Sequence, residues 1–209
     1  MNYRTDQEDF WAGNFGNKYI ERNKGNKIIA SNINFLCQAL KRTADIKNCL
    51  EFGANIGNNL IALNYLLPEV NLNAIEINQK AIIELKKTVK EENIFKGSIL
   101  DYKPREKYDL VLIKGVLIHL NPEFLKEIYS ILVKSTSKYI LLAEYYNPKP
   151  ISIEYRGHKN KLFKRDFAGE LMDNHKEISL LDYGFCYRLD PLFPADDYTW
   201  FLMQKNNNC

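Results

Sequence analysis

Short apolar segments alternate with helical segments through the middle of this sequence, and this alternation limits the fold more than any other feature. The apolar segments have the composition of buried β-strands. They are CLEF (49–52), LNAIEI (72–77), NIFKG (93–97), YDLVLI (108–113) and YILLAE (139–144). The intervening stretches with helical character are 58–67, 79–92 and 123–135. Helical crossovers between strands favour right-handed connections, so the sequence predicts an α/β fold with a parallel sheet covered by helices.

The two ends of the chain extend this pattern differently. One or two short helices are predicted over residues 6–23, with Thr5 and Glu8 at capping-box spacing, and another helix over 27–44. Near the other end, two strands at 178–188 and 197–205 are joined without a helix. Strands joined in this way are expected to pair antiparallel.

Between these regions, residues 145–166 are polar, aromatic and basic and contain two prolines, Pro148 and Pro150. We predict a long inserted loop here, followed by a short helix over 165–175, because long ordered loops are commonly functional. The 209 residues then fit one domain. Its parts are N-terminal helices or a lid (1–45), a ligand-binding core (46–145), an insertion (146–175) and terminal antiparallel strands (176–209).

Composition excludes several classes of protein. The net charge of +3 is too small to indicate nucleic-acid binding. No run of 18 apolar residues is available to span a membrane, and the first residues lack a secretory signal pattern. The four cysteines form no C-x-x-C pair, so neither a metal site nor a disulfide scaffold is expected. We therefore expect a cytoplasmic, metal-free protein with reduced thiols.

The stretch EFGANIGNNL (51–60) ends the first predicted strand and opens a helix. Such a turn collects free main-chain N–H groups at the carboxyl edge of a sheet. Its spacing is E-x-G-x-N-x-G, and a dinucleotide fingerprint would need glycines at Asn55 and Asn58. Glu51 would repel phosphates but suit a cationic sulfonium, as in S-adenosylmethionine (SAM). Glu76 ends the next strand, where an acid that binds ribose hydroxyls is expected.

Five segments of the chain resemble a known family. They are FWAGNFGNKYIERN (10–23), LEFGANIGNNL (50–60), IKGVLIHLNP (113–122), AEYYNPKPISIEYRGHKNKLFKRDFAGELM (143–172) and DPLFPADDYTWFL (190–202). They closely resemble the pseudaminic acid biosynthesis-associated methylase family, within the class I SAM-dependent methyltransferases. The resemblance covers nearly the whole chain. It implies a Rossmann-like fold with a seven-stranded, mostly parallel sheet, an antiparallel last strand and helices on both faces. It also implies methylation of a small carbohydrate-related acceptor, a nonulosonic (pseudaminic-type) acid or its precursor.

The resemblance and the chemistry of the loop together predict the residues that hold SAM. The glycine loop would hold the methionine end, Glu76 the ribose, and Ser98 with Ile99 the adenine, where many relatives carry Asp instead of Ser98. The N-terminal aromatic residues would either form a lid or pack a helix on the sheet. The full predicted set is Trp11, Tyr19, Arg22, Glu51, Gly53, Asn55, Gly57, Glu76, Ile77, Ser98, Ile99, Lys114, Gly115 and Val116. The alternative role of Glu76 is a solvated acid at a strand end.

Methyl transfer to a hydroxyl benefits from a general base, and His119 is the leading candidate because it follows the fourth strand. The other predicted catalytic or acceptor-binding residues are Tyr145, Tyr146, Arg156 and His158. Arg156 lies in a basic segment that could hold a carboxylated sugar, and the alternative is a solvated charged loop. Lys114 either points away from the sulfonium or binds the carboxylate of the acceptor.

Two other functions remain open from the sequence. A protein or RNA methyltransferase would need a broader basic or peptide-binding surface than a net charge of +3 indicates. A partner protein that binds the cofactor without turnover would keep the same loop and the same Glu76. The fold alone does not identify the atom that is methylated, and the sequence leaves the oligomeric state open.

Overall fold

The computed structural model describes residues 3–206, so Cys209 and the outermost ends of the predicted domain lie outside the described part of the chain. The described chain begins with three helices, α1 (Asp6–Ala12), α2 (Asn14–Arg22) and α3 (Asn26–Ala39). The predicted capping box is confirmed. The Thr5 hydroxyl accepts from the Glu8 main-chain N–H at 3.2 Å, and the Glu8 carboxylate accepts from the Thr5 N–H at 2.8 Å.

The predicted alternation of strands and helices follows these helices. Its elements are β1 (Asn48–Phe52), α4 (Asn58–Leu66), β2 (Asn71–Glu76), α5 (Gln79–Leu85), β3 (Ile94–Lys96), β4 (Tyr108–Lys114), α6 (Leu125–Ser135) and β5 (Thr136–Glu144). The helix predicted over 79–92 is shorter than expected. It ends at Leu85 because the chain turns there and buries Val89 beneath it.

The remaining elements are β6 (Ile151–Tyr155), β7 (His158–Lys164), α7 (Phe167–Asn174), β8 (Ile178–Cys186) and β9 (Tyr198–Lys205). Seven strands form one sheet in the order β3-β2-β1-β4-β5-β9-β8. Strand β9 is antiparallel to both of its neighbours, and the other strand pairs are parallel. The predicted mostly parallel sheet with an antiparallel last strand is therefore confirmed.

The predicted loop over 145–166 is wrong in one respect, because most of it forms a separate β-hairpin of β6 and β7. Its two-residue turn consists of Arg156 and Gly157, both with positive φ (52° and 84°). This conformation is the one that a tight hairpin turn requires. An isolated two-stranded hairpin is marginal in water. This one is anchored by Leu162, which is buried in the main core.

Alternation along the central strands divides the core between two faces of the sheet. Leu50 and Phe52 of β1 face the side covered by α6 and α7, whereas Cys49 faces the side covered by α3 and α4. The same division continues in β4, where Val111 and Leu112 lie on opposite faces. Helices therefore cover both faces, as predicted, and leave the carboxyl ends of the parallel strands free for a site.

The described part of the chain has neither a membrane-spanning helix nor a metal-binding group of side chains. Within residues 3–206, no helix is both long and apolar enough to cross a membrane. Over the same residues, no group of three or more His, Cys, Asp or Glu side chains is arranged to hold a metal ion.

Candidate active site

A cavity of about 560 Å³ lies at the carboxyl ends of β1 to β4. The turns that follow these strands form one wall, and we call the segments that supply this wall the sheet edge (residues 53–59, 76–78, 97–100 and 114–119). Helices α1 and α2 and the hairpin turn form another wall, and we call the segments that supply it the cover (residues 4–23 and 151–164). Residues of α3 and residues between 188 and 198 also line the cavity. This volume lies within the range that small-molecule sites occupy, and the position is where parallel α/β sheets bind ligands.

The turn after β1 brings main-chain atoms to the cavity. Gly53 and Asn55 have positive φ (70° and 51°), a conformation that Asn tolerates better than most residues. A Cβ at Gly53 would lie 2.6 Å from the side chain of Val116, so only glycine fits there. Gly57 is the N-cap of α4, and a Cβ there would lie 2.8 Å from the Leu85 side chain. Gly57 is not part of the cavity wall.

Glu51 lies beneath the cavity and is not part of its wall. It is 2% exposed, and its Oε1 accepts from the Asn59 side chain at 2.6 Å. Burial raises the pKa of Glu51 to about 8, against the opposing effects of Asn59 and Lys114. Within residues 3–206, its second carboxylate oxygen has no hydrogen-bond partner. A carboxyl with a pKa of about 8 is mostly protonated at neutral pH, so Glu51 acts on the cavity through its hydrogen bond with Asn59.

Lys114 lies on the cavity floor and does not point away from it. Its ammonium donates to the side-chain oxygens of Asn32 at 2.8 Å and Asn59 at 3.3 Å. It also lies 5.0 Å from the ring centre of Tyr198. Burial lowers the pKa of Lys114, and nearby Glu51 opposes this shift. Because an ammonium has three donors and two are used here, one N–H remains for an anionic ligand group.

Glu76, at the end of β2, lies on the cavity wall beside Ile77. One carboxylate oxygen accepts from the main-chain N–H of Asn55 at 2.6 Å, and the other from that of Asn78 at 2.7 Å. Burial raises its pKa, while these amides lower it. Each carboxylate oxygen can accept two hydrogen bonds, so both retain capacity for ligand hydroxyls. The solvated role considered from the sequence does not apply, since Glu76 is 6% exposed.

Ser98 and Ile99, after β3, lie on the same wall. The Ser98 hydroxyl accepts from the Leu100 N–H at 3.0 Å and donates to the carboxylate of Glu8. Glu8 is 5% exposed and also lines the cavity. The sequence identified Glu8 only as part of a capping box. Its second partner lies 90 positions away in the chain and gives no local signal.

The N-terminal helices form a cavity wall and are fixed there by Asn78. The Asn78 amide donates to the main-chain oxygens of Trp11 at 3.0 Å and Ala12 at 3.3 Å, while its oxygen caps α5. Trp11, Tyr19 and Arg22 line the cavity. Burial raises the pKa of Tyr19 to about 12, so its hydroxyl stays protonated at neutral pH. These helices therefore line the cavity, and their action as a lid stays a prediction.

His119 lies where the sheet edge meets the cover. Its Nδ1 is 2.6 Å from the main-chain oxygen of Lys161. A carbonyl oxygen can only accept, so Nδ1 carries the proton and Nε2 keeps its lone pair. The ring lies 4.6 Å from that of Trp11 and 4.8 Å from that of Tyr155. Burial lowers the pKa of His119 to about 4, although the hydrogen bond opposes this shift. The imidazole is therefore neutral at physiological pH.

Glu144 fixes the turn that carries His119. Its carboxylate accepts from the main-chain N–H groups of Val116 at 2.9 Å and Leu117 at 2.8 Å. Burial raises the pKa of Glu144 to about 8, while these amides lower it. The sequence did not single out Glu144, because an acid at the end of a strand gives no indication of which neighbouring turn it holds. Gly115 and Val116 line the cavity within this turn.

The structure brings only some of the predicted acceptor residues to the cavity. Tyr145 and Arg156 line it. Tyr146 is 44% exposed and packs on Phe201, because adjacent residues of an extended chain point to opposite sides. His158 is exposed and packs on the outer side of the N-terminal helices, 4.9 Å from the ring of Phe10. Tyr146 and His158 are therefore not part of the cavity wall.

Two other basic residues of the 145–166 segment have structural partners. The Lys161 ammonium donates to the Asp6 main-chain oxygen at 2.9 Å, and Arg165 pairs with Glu170 at 2.7 Å. Tyr155, in contrast, lines the cavity next to His119, although the sequence did not identify it. Its place on a hairpin strand could not be recognised while the segment was predicted as a loop.

Several buried polar atoms of cavity-lining residues have no hydrogen-bond partner within residues 3–206. They are Trp11 Nε1, Ser31 Oγ, Asn55 Oδ1 and Tyr198 Oη. A buried polar group without a partner costs about 1–3 kcal/mol. The cavity therefore suits a ligand that is polar along its length and that supplies both donors and acceptors.

No model of a known protein family matches the sequence, and no curated protein sequence matches it either. Solved structures do match the fold. One is the 1,6-didemethyltoxoflavin-N1-methyltransferase of Burkholderia thailandensis with bound 1,6-didemethyltoxoflavin and S-adenosylhomocysteine (SAH). It is 13% identical, with a TM-score of 0.68 over 96% of this chain and 87% of that chain.

Two further structures give the same picture. The magnesium protoporphyrin IX methyltransferase of Synechocystis with bound SAH is 15% identical, with a TM-score of 0.67 over 96% of this chain and 100% of that chain. A SAM-dependent methyltransferase of Clostridium acetobutylicum is 11% identical, with a TM-score of 0.63 over 93% of this chain and 100% of that chain. The chain thus has the Rossmann-like fold of SAM-dependent methyltransferases.

Proposed function

We propose that this protein is a SAM-dependent methyltransferase. The observation that carries the proposal is Glu76, a buried carboxylate on the cavity wall that is fixed by two main-chain amides and still has lone pairs for two ribose hydroxyls. The fold supports this reading, since two of the similar structures contain SAH. Those two proteins are named for different acceptors, so they do not identify the acceptor of this one.

The residues present fit SAM along its length. The methionine end would lie over Gly53 and Asn55, with Arg22 and the free N–H of Lys114 available for its carboxylate. The ribose would bind Glu76, and the adenine would lie beside Ile77 and Ile99. Trp11 and Tyr19 would close the site from the cover. Because SAM has no pyrophosphate, this arrangement needs no group of cationic side chains, unlike the binding of a dinucleotide.

SAM supplies an electrophilic methyl group, so the protein's task is to position the acceptor and to accept its proton. His119 is suited to the second task. Its Nδ1–H is held by the Lys161 carbonyl, which leaves Nε2 as the acceptor of a hydroxyl proton. Its low pKa keeps the imidazole uncharged beside a cationic donor and makes it a weak base, so the proton moves to Nε2 as the methyl group is transferred and not before. Tyr145 lies on the same side of the cavity and could donate to the acceptor.

We propose further that the acceptor is a small carboxylated sugar, a nonulosonic (pseudaminic-type) acid or its precursor. The sequence resemblance of residues 143–172 supports this class. In the cavity, Arg156 at the hairpin turn offers a guanidinium that can bind a carboxylate through two parallel hydrogen bonds. The aromatic rings of Tyr155 and Trp11 beside His119 offer flat apolar surface against which a sugar ring can lie.

Calorimetric titration of the full chain with SAH and with a nicotinamide dinucleotide tests the cofactor. We expect micromolar binding of SAH and none of the dinucleotide, and the reverse preference would exclude the proposed function. A methyl-transfer screen against free and nucleotide-linked nonulosonic acids and their precursors tests the acceptor. Transfer to proteins or RNA alone would exclude the sugar, and binding of SAH without any transfer would indicate a non-catalytic partner protein.

A further inference from the structure

We propose that Glu8, on the first helix, recognises the exocyclic amine of the adenine ring. This inference rests on the proposed function. To the proposed function it adds Glu8, a residue of the cover, as the group that sets specificity for the base. Among the side chains of residues 97–100 in the sheet edge, only Ser98 offers a polar group, its hydroxyl.

The geometry places Glu8 at the base end of the cavity. Strand β3 lies next to β2, and the Gly97 N–H donates to the main-chain oxygen of Glu76 at 2.9 Å. A nucleoside whose ribose is held by Glu76 therefore extends toward Gly97 and Ser98. At this end Glu8 lines the cavity and contacts the Ser98 hydroxyl. With 5% exposure, it is almost entirely withdrawn from solvent.

The hydrogen bonds of Glu8 leave one acceptor site free. Its Oε2 accepts from the Thr5 main-chain N–H at 2.8 Å and from the Thr5 hydroxyl at 3.1 Å. Its Oε1 accepts from Ser98 alone within residues 3–206. A carboxylate can accept about four hydrogen bonds, so Oε1 retains one lone pair. That lone pair, beside the cavity, is available to a donor of the ligand.

The chemistry of the purine decides which base fits. Adenine presents an amine at position 6, which donates, whereas hypoxanthine and guanine present a carbonyl oxygen, which can only accept. A carboxylate binds the amine and repels the carbonyl oxygen. Glu8 therefore selects a 6-amino purine.

The variant Glu8→Gln tests this role and retains the local fold. Gln is an accepted third residue of a capping box. The two donors of Thr5 require an oxygen at the Oε2 position, so the amide nitrogen must take the Oε1 position that faces Ser98 and the base. The variant would then present a donor where the native protein presents an acceptor. Thr5→Ala is the matched control, because it removes both contacts of the Thr5 hydroxyl and keeps the main-chain N–H of residue 5 and the Glu8 carboxylate.

The experiment is calorimetric titration of the full chain with SAH and with S-inosylhomocysteine, which differs at position 6 of the purine. The native protein is expected to prefer SAH by about 10- to 150-fold, the value of one hydrogen bond to a charged group. Glu8→Gln is expected to lose most of this preference, with tighter binding of the inosyl ligand. Thr5→Ala should weaken both ligands alike and keep the ratio.

Two results overturn the inference separately from the proposed function. If the native protein binds SAH and Glu8→Gln keeps the native ratio, or weakens both ligands equally, Glu8 only fastens the helix and the proposed function stands. If the native protein binds neither ligand, the proposed function fails and the role of Glu8 fails with it. A thermal melt of each variant shows whether it is folded at the temperature of the titration.

Discussion

The sheet edge and the cover enclose the same cavity but are built in different ways. The sheet edge is held by contacts between adjacent parallel strands, such as the Gly53 N–H that donates to the Ile75 oxygen at 2.9 Å. The cover is held by single hydrogen bonds from side chains to main-chain oxygens. These bonds join residues far apart in the chain: 67 positions for Asn78 and Trp11, 153 for Gln7 and Asn160, and 155 for Lys161 and Asp6.

The sheet edge also rests on more buried apolar side chains than the cover does. The strands beneath the sheet edge are covered by buried apolar side chains on both faces of the sheet. In the cover, the hairpin contributes Leu162 and the first two helices contribute Ile20 as buried apolar side chains. Regions with few buried apolar contacts open at a lower free energy than the global fold. We therefore expect the cover to open while the sheet remains intact, which is how a ligand would enter.

The largest expected effect is on turnover, at the junction of the two regions. His119→Ala should lower the rate with a hydroxyl acceptor by about 10²- to 10⁴-fold, because it removes the base. Affinity for SAH should stay near normal. His158→Ala is the control, since His158 lies on the cover but outside the cavity. Steady-state kinetics with the acceptor found in the screen would measure both, and equal rates for native protein and His119→Ala would remove His119 from the mechanism.

The second prediction concerns pH and the same histidine. The unfolded chain binds a proton at His119 below pH 6.5, whereas the folded chain does so only at about pH 4. The contribution of His119 to stability should therefore fall as the pH decreases from 6.5 to 4, by about 3 kcal/mol. Denaturant unfolding of native protein and His119→Gln across this range isolates the effect. Parallel curves for the two proteins would contradict the low pKa.

The third prediction concerns a substitution in the sheet edge alone and its effect on affinity for SAH. Glu76→Gln replaces one of the two acceptor oxygens with a donor, and it should lower affinity for SAH by about 10- to 150-fold, which corresponds to about 1.5–3 kcal/mol. Glu92→Ala removes an exposed acid near β3 and should leave affinity unchanged. Calorimetry gives both values. Unchanged affinity in Glu76→Gln would show that this acid does not hold the ribose.

The fourth prediction concerns a substitution in the cover alone and its effect on SAH binding and proteolysis. A Cβ at Gly16 would lie 1.9 Å from the main-chain oxygen of Trp11 and 2.8 Å from the Asn78 amide, so Gly16→Ala must separate α1 from α2. Such overpacking costs about 1–3 kcal/mol. We expect weaker SAH binding and faster proteolysis within residues 4–23. Lys18→Ala, on the exposed side of the same helix, should have neither effect. Native affinity in Gly16→Ala would mean that the cover does not contribute to the site.

The contrast also explains what the sequence could predict. The sheet edge follows from local signals: apolar strands, a glycine turn at EFGANIGNNL, and an acid at the next strand end. These signals act within a few residues, so the strands of the parallel sheet and the position of Glu76 could be anticipated. The directions of side chains could not. Tyr145 and Tyr146 look alike in sequence, but only Tyr145 faces the cavity.

The cover, in contrast, depends on contacts that the sequence does not indicate. Two prolines and many charges suggested a loop where β6 and β7 form a hairpin, and the turn uses Arg156 in a conformation that arginine rarely adopts. Glu8 is fully explained locally by its capping box, so its contact with Ser98 could not be foreseen. Each of these features requires two distant segments to be placed first.

Hydrogen exchange of the full chain with and without saturating SAH tests most directly whether the cover binds the cofactor. We predict that main-chain amides of the sheet edge, at 53–59, 76–78 and 97–100, gain protection together with those of α1 and α2. The control region is β8 and β9, where exchange should not change. Protection confined to the sheet edge would contradict the claim that the cover forms half of the cofactor site.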